Sequence, residues 1–221
     1  MKPFESINQP DERSTFLSYR KRESGGSYSD WRPLDLEYYY NLAADCSLPE
    51  TVPENIREIW EVAQHLLVYT LYDHSFLEAS NLYCSLAVEA ALKVFCKEEI
   101  ESLRQEKLNA GKKIKENGFY DILQIFEKKV SSELTNEEMK FMHDWLEAVR
   151  TIRNQMAHLN KHQPLWVSYS HLPNTSEFLK NVFENKLKPF FNAWMKHSAE
   201  ENERTKKMIE EAKIQHEQKS L

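Results

Sequence analysis

Apolar residues recur at spacings of three and four through most of the chain beyond residue 50, the signature of amphipathic helices. Over 52–73 the series is Ile56, Ile59, Trp60, Ala63, Leu67 and Leu71. Over 76–97 it is Phe76, Tyr83, Leu86, Ala90 and Val94, which leaves Asn81, Ser85, Glu89 and Lys93, four apart, as an expected outward polar face. A shorter helix is expected over 119–130 with Tyr120, Leu123 and Phe126 inward. The run over 136–158 carries Met142, Trp145, Val149, Ile152, Met156 and, just beyond it, Leu159. A last helix from about 175 turns Phe178, Val182, Phe183, Leu187, Phe190, Phe191 and Trp194 inward, with a kink expected at Pro189. Between these runs, 97–118 reads as a charged, solvated loop, and 159–174 as a loop with Trp166, Tyr169 and His171 between Pro164 and Pro173.

Four of the starts share one signal. Thr51, Ser75, Thr135 and Asn174 each precede a glutamate by three positions (Glu54, Glu78, Glu138, Glu177). In such a capping box the first side chain takes an orphan N–H and the acid reaches back to the cap's own N–H. Pro33 can open a further short helix through Asp45, bearing Tyr38, Tyr39 and Tyr40, which packs on the domain or on a partner. Residues 1–30 are polar and serine-rich, with a small basic cluster at Arg20, Lys21 and Arg22. From Ala199 the sequence is almost wholly charged. The expected fold is all-α: an antiparallel bundle of four to five helices over 51–197, preceded by an N-terminal arm and short helix over 1–50 and followed by a charged helical tail over 198–221.

Composition narrows the partners. Hydrophobic residues make up 41% of the 221, enough for one ordinary core, and the only four glycines fall outside the helical patterns. The net charge of -6 argues against indiscriminate nucleic-acid binding, so contact with RNA is expected to be local. The best basic patch is Lys107, Lys112, Lys113 and Lys115 around Gly111, read either as a solvated loop or as a rim for an RNA backbone. Cys46, Cys84 and Cys96 form no CxxC pair and leave one over, which fits a reducing compartment and no disulfide framework. The N-terminus has no apolar signal-like stretch, and the densest apolar run, Leu66 to Leu71, is too short to span a bilayer. A cytoplasmic protein without membrane contact is expected.

Chemistry concentrates at Arg150-Thr-Ile-Arg153-Asn154-Gln-Met-Ala-His158. Arginine is a permanently charged fork that matches phosphate oxygens. Histidine exchanges protons near neutral pH. At about 100° per residue, Arg153 and His158 stand roughly 140° apart on a straight helix, so they converge only if the helix bends or ends. Asn154 and His158 share a face, with Arg150 near it, almost opposite the Met142–Met156 stripe. That polar face is expected toward solvent or a second subunit. Glu89 can either steer Arg153 or Arg150 in a site or simply pair with Lys93. His158 and His162 have metal-ligand spacing but no accompanying ligand, so no metal and no cofactor are expected. No Gly-rich phosphate loop, HExxH, Gly-x-Ser-x-Gly or paired-carboxylate pattern occurs.

Arg153-Asn154-x-x-x-His158 resembles the Arg-x4-6-His motif of the HEPN superfamily. Ser85-Leu-Ala-Val-Glu89-Ala-Ala-Leu-Lys93 is similar to the acid-bearing second helix of many HEPN domains. The resemblance covers roughly 51–197. It implies a HEPN-type bundle and metal-independent RNA cleavage by a homodimer, the two motifs meeting across the two-fold axis. In that scheme His158 moves a proton at the 2′-OH or the leaving 5′-oxygen, Arg153 stabilises charge on phosphorus, Asn154 orients, and Arg150 and Glu89 support. The product is a 2′,3′-cyclic phosphate, and DNA is not a substrate. Toxin, abortive-infection and antiviral roles follow from the resemblance, with a cognate antitoxin or regulatory protein as partner. Some such antitoxins modify a tyrosine two residues after the motif histidine; Asn160 stands there in this chain. The rival expectation is a non-catalytic HEPN-like module that dimerises, binds nucleotides or holds a partner protein.

Overall fold

The computed structural model describes residues 18–19, 32–111, 118–157 and 171–219. Most of the N-terminal arm, the basic cluster at Arg20–Arg22, Lys112, Lys113, Lys115, His158, His162, Trp166 and Tyr169 lie outside the described residues. The fold is an all-α bundle. Eight helices are described: α1 Leu36–Asp45, α2 Glu54–Tyr69, α3 Ser75–Phe95, α4 Lys97–Asn109, α5 Phe119–Val130, α6 Asn136–Ala157, α7 His171–Phe183 and α8 Leu187–Lys219. A two-residue antiparallel pairing of Ser18–Tyr19 with Arg32–Pro33 precedes α1. No helix among the described residues is long and apolar enough to cross a membrane.

Helix α1 starts three residues after Pro33, capped by Asp35, whose side chain accepts from the Tyr38 N–H at 2.8 Å. It packs on the domain. Tyr39, Ala43 and Cys46 are buried in the common core, which therefore begins well before residue 51. The Cys46 carbonyl accepts from Trp60 Nε1 at 2.8 Å and from Ser176 Oγ at 2.9 Å, tying the end of α1 to α2 and α7.

Of the four expected capping boxes, one forms. Thr135 Oγ1 accepts from the Glu138 N–H at 3.3 Å, and Glu138 accepts from the Thr135 N–H at 2.6 Å. At α2 the chain is already turned by Pro53, with φ -52, and its carbonyl takes the N–H groups of Ile56 and Arg57, so Thr51 has no role. At α3 it is Asp73, not Ser75, that supplies the acceptor, to the Ser75 N–H at 3.0 Å. Helix α7 begins at His171, which puts Asn174 inside the first turn. The four-residue pattern is a local permission; where the chain actually becomes extended decides the cap.

Two further expectations are corrected. The stretch read as a loop over 97–118 is helical through Asn109, although α4 buries no residue. Its residues are mostly strong helix formers, it opens on Glu98 and Glu99, and spaced pairs such as Glu101–Gln105 line it, so no apolar face is needed. Gly111 ends it at φ +65. The expected kink at Pro189 is instead a full break before it. Asn185 takes φ 57 and the Lys186 N–H returns to the Asn181 carbonyl at 2.9 Å, a left-handed helix stop. Pro189 then lies in the first turn of α8, where its missing N–H costs nothing.

The largest correction concerns α3. The polar face Asn81–Ser85–Glu89 is buried, whereas Phe76 and Val94 are exposed. The helix sits at the centre of the bundle, packed by α2, α6, α7 and α5. Small residues such as Ala87, Ala91 and Cys84 let neighbours approach, and the buried hydroxyls are satisfied: Ser80 donates to the Ala63 carbonyl and Ser85 to that of Asn81. Glu89 is compensated by cations, as described below.

Buried His171 gives the fold an acid sensitivity. It is 8% exposed, its Nε2 has no hydrogen-bond partner among the described residues, and burial pushes its pKa down to about 4. In the unfolded chain it protonates near 6.5. Between those values the unfolded state binds the extra proton, so stability is full above about pH 6.5 and falls as the pH drops toward 4, by about 3 kcal/mol in total. Urea midpoints measured at pH 7 and pH 4.5 are expected to converge in His171→Leu relative to the unmodified chain. An unchanged difference would remove His171 from the acid response.

Candidate functional site

The site is built where the C-terminal half of α6 crosses the centre of α3. The apolar stripe of α6 holds its register: Met142, Leu146 and Val149 are fully buried and Trp145 packs against the core. Arg153 and Asn154 lie off that stripe and are half-buried. Arg153 Nε donates to Glu89 Oε2 at 3.2 Å, and its Nη1 donates to Asn154 Oδ1 at 3.2 Å. Glu89 also takes Lys93 Nζ at 2.9 Å. Both alternatives for Glu89 are thus realised at once: one carboxylate bridges the cation one turn along its own helix and the arginine of α6. With only 10% of its side chain exposed, that carboxylate needs both partners, because an unpaired buried charge is far costlier than a paired one. The Arg153 side chain remains 28% exposed.

Arg150 is not part of this cluster. It is held by Glu147, with Nε at 3.0 and 3.1 Å from the two carboxylate oxygens and Nη2 at 2.6 Å. That pairing raises its pKa. Its guanidinium lies 5.7 Å from the centroid of the Tyr120 ring. The structure therefore brings together Glu89, Arg153 and Asn154, adds Lys93, and separates Arg150 from them. His158, Lys112, Lys113 and Lys115 lie outside the described residues.

One feature escaped the sequence reading. His143 Nδ1 is 2.6 Å from Glu127 Oε1, and that hydrogen bond raises the histidine pKa. Helices α5 and α6 run antiparallel, so Tyr120 meets Arg150 at one end and Glu127 meets His143 at the other. His143, Glu147, Arg150 and Asn154 follow at spacings of four, three and four, a continuous polar row along α6. The row was legible in the sequence; the Glu127 partner was not.

Thiol chemistry has little to stand on. Cys46 and Cys96 are buried, which pushes their thiols up to about 12, and burial raises Cys84 as well, so none is a thiolate near neutral pH. Among the described residues no group of three His, Cys, Asp or Glu side chains is arranged to hold a metal ion. What the arrangement offers is a fixed, forked cation with an amide beside it, near the C-terminal end of α6. No family model, no curated protein and no solved structure matches the chain.

Proposed function

We propose that the chain is a metal-independent endoribonuclease of HEPN type, acting as a homodimer in RNA-directed defence or growth control. The observation that carries this reading is the Glu89–Arg153–Asn154 linkage, in which the acid of α3 fixes the motif arginine four residues past Val149, the last fully buried residue of the α6 stripe. Arg153 then stabilises charge developing on the phosphorus, His158 transfers the proton at the 2′-OH or the 5′-oxygen, and Asn154 orients. Lys112, Lys113 and Lys115 contact the RNA backbone.

The distribution of charge supports it. Residues 34–92 hold ten acidic residues and a single basic one, Arg57, whereas residues 93–221 hold 22 Lys and Arg against 20 Asp and Glu. The segment that carries α6 is thus near neutral, with a small basic excess, although Glu89 of the acidic segment meets it at Arg153.

A second reading, the non-catalytic HEPN-like module, is favoured by the same hydrogen bonds read differently: two of the Arg153 donor nitrogens are already engaged within the chain. One experiment separates the two. Purified protein is incubated with total RNA in EDTA beside His158→Ala, with a DNA oligonucleotide as a control. Cleavage that persists in EDTA, spares DNA and disappears in His158→Ala is the expected result. Activity that survives His158→Ala, or that needs a divalent ion, ends the ribonuclease reading; no activity under any condition favours the module. Light scattering at micromolar concentration is expected to give the dimer mass, and a monomer would count against the shared site.

A further inference from the structure

Helices α1 and α2 enclose an open groove of about 550 Å³ that shares no residue with the Arg153 cluster. The helices run antiparallel there, since Gln64 donates to the Ala43 carbonyl and Trp60 to that of Cys46. The walls are aromatic and aliphatic: Leu36 and Tyr40 from α1, Val68 and Tyr69 from α2, and Tyr72 just past it, with His65 the only ionisable nitrogen base among the lining residues. Leu36, Tyr40 and Tyr69 are 45%, 64% and 54% exposed, far more than apolar side chains on a helix pair that buries its other face. Phe76 extends the rim, its ring 6.0 Å from that of Tyr69.

The electrostatics decide what fits. Among the described residues, no lysine or arginine lines the groove. Glu37 is seven residues from Ala44 and Glu61 seven from Val68, which puts each carboxylate within about 20° of a lining position on its helix. Both are exposed. Because the helices are antiparallel, the two acids stand at opposite ends, Glu37 toward Tyr72 and Glu61 toward Ser47. The only basic residue of 34–92, Arg57, is turned away to the Val52 carbonyl at 3.0 Å. An apolar, tyrosine-rich trough with a carboxylate at each end repels phosphate and suits a cationic segment with apolar anchors, whose ammonium or guanidinium groups also gain from tyrosine faces.

We propose that this groove docks a basic amphipathic helix of a partner protein, its leucine or aromatic side chains between Tyr40 and Tyr69 and its lysines or arginines against Glu37 and Glu61. The site is independent of the Arg153 cluster and stands whether or not the chain cleaves RNA.

The test uses the full chain and a fluorescein-labelled helical peptide of 14 residues, roughly one turn longer than the trough, with leucine and tryptophan on one face and lysine elsewhere. Saturable binding that weakens with salt is expected. Tyr40→Ala, Tyr69→Ala and the pair Glu37→Lys with Glu61→Lys are each expected to weaken it by about ten-fold or more. All are at exposed positions, and thermal melts confirm folding. Glu98→Lys with Glu101→Lys changes net charge equally, on α4, and is expected to leave binding intact. Equal loss in that control, undiminished binding in the tyrosine variants, equal binding of a glutamate-for-lysine peptide, or displacement by a short oligouridylate would each overturn the proposal. So would conversion of a dimer to a monomer by Tyr40→Ala, which would make a second copy the occupant.

Discussion

Arg153→Ala is expected, on the proposed ribonuclease reading, to reduce RNA cleavage by about 100- to 1,000-fold, the usual consequence of removing one donor aimed at developing charge. Unlike an ordinary surface substitution, it is also expected to lower stability. From the sequence, Arg153 sits off the apolar stripe and its loss should be nearly silent in a melt. The structure corrects that expectation, because Arg153 is one of two cations on Glu89, whose side chain is only 10% exposed. Lys93 remains in the variant and Arg153 is itself partly solvated, so the cost is about 1–2 kcal/mol rather than the larger loss for a fully buried pair. In a domain of this size that is a melting point lower by roughly 2–8 °C. Glu89→Gln in the Arg153→Ala background is expected to recover much of the stability without recovering cleavage. Cleavage retained in Arg153→Ala would remove the residue from the site, and a melt unchanged in both variants would show that the Glu89 linkage carries no energy.

Phe178→Ala is expected to destabilise the bundle by about 3–5 kcal/mol, near the top of the range for a single core substitution. Phe178 is fully buried and joins three elements. Its ring lies 4.8 Å from that of Trp145 on α6, 6.2 Å from Phe126 on α5, and 6.4 Å from both Phe190 and Phe191 on α8. These tilted and edge-on contacts add to the area term, and deletion leaves a cavity walled by rigid rings that cannot collapse into it. Phe178→Leu, which fills part of the volume, is expected to cost about half as much. Chemical denaturation monitored by tryptophan fluorescence reads both, since Trp145 and Trp194 flank the site. A loss under about 1 kcal/mol for the alanine variant would mean that α7 and α8 are not integral to the cooperative unit.

How much of this was legible in the sequence varied with what each element leans on. The bounds of α5 and α6 were read almost to the residue, because one face of each is apolar, the other polar, and Thr135 with Glu138 marks a true start, but Tyr120, expected inward on α5, is exposed, and Phe119 and Ile122 are buried instead. Helix α3 was placed correctly and oriented wrongly. A helix covered on several sides has no single apolar face, and serine, asparagine and a paired glutamate can all be buried if their partners are supplied by other helices. Helix α4 was missed because it has no buried face to leave a pattern. At the site, the option of a Glu89–Arg153 contact was visible from residue chemistry. The Arg150–Glu147 pair, three apart on α6, was open to a local reading; the Tyr120–Arg150 and Glu127–His143 contacts depend on the register of α5 against α6, which no local pattern encodes.

The central position of α3 also has a kinetic consequence. With α2, α5, α6 and α7 packed around it, its amide protons are shielded by contacts that only global opening removes, while those of α4, with no buried residue, are released by local fraying. Hydrogen exchange should therefore be slowest at Ala87–Leu92, and its rate there reports the free energy of the whole domain. The same segment carries Glu89, so the carboxylate that fixes Arg153 is mounted on the last part of the molecule to move.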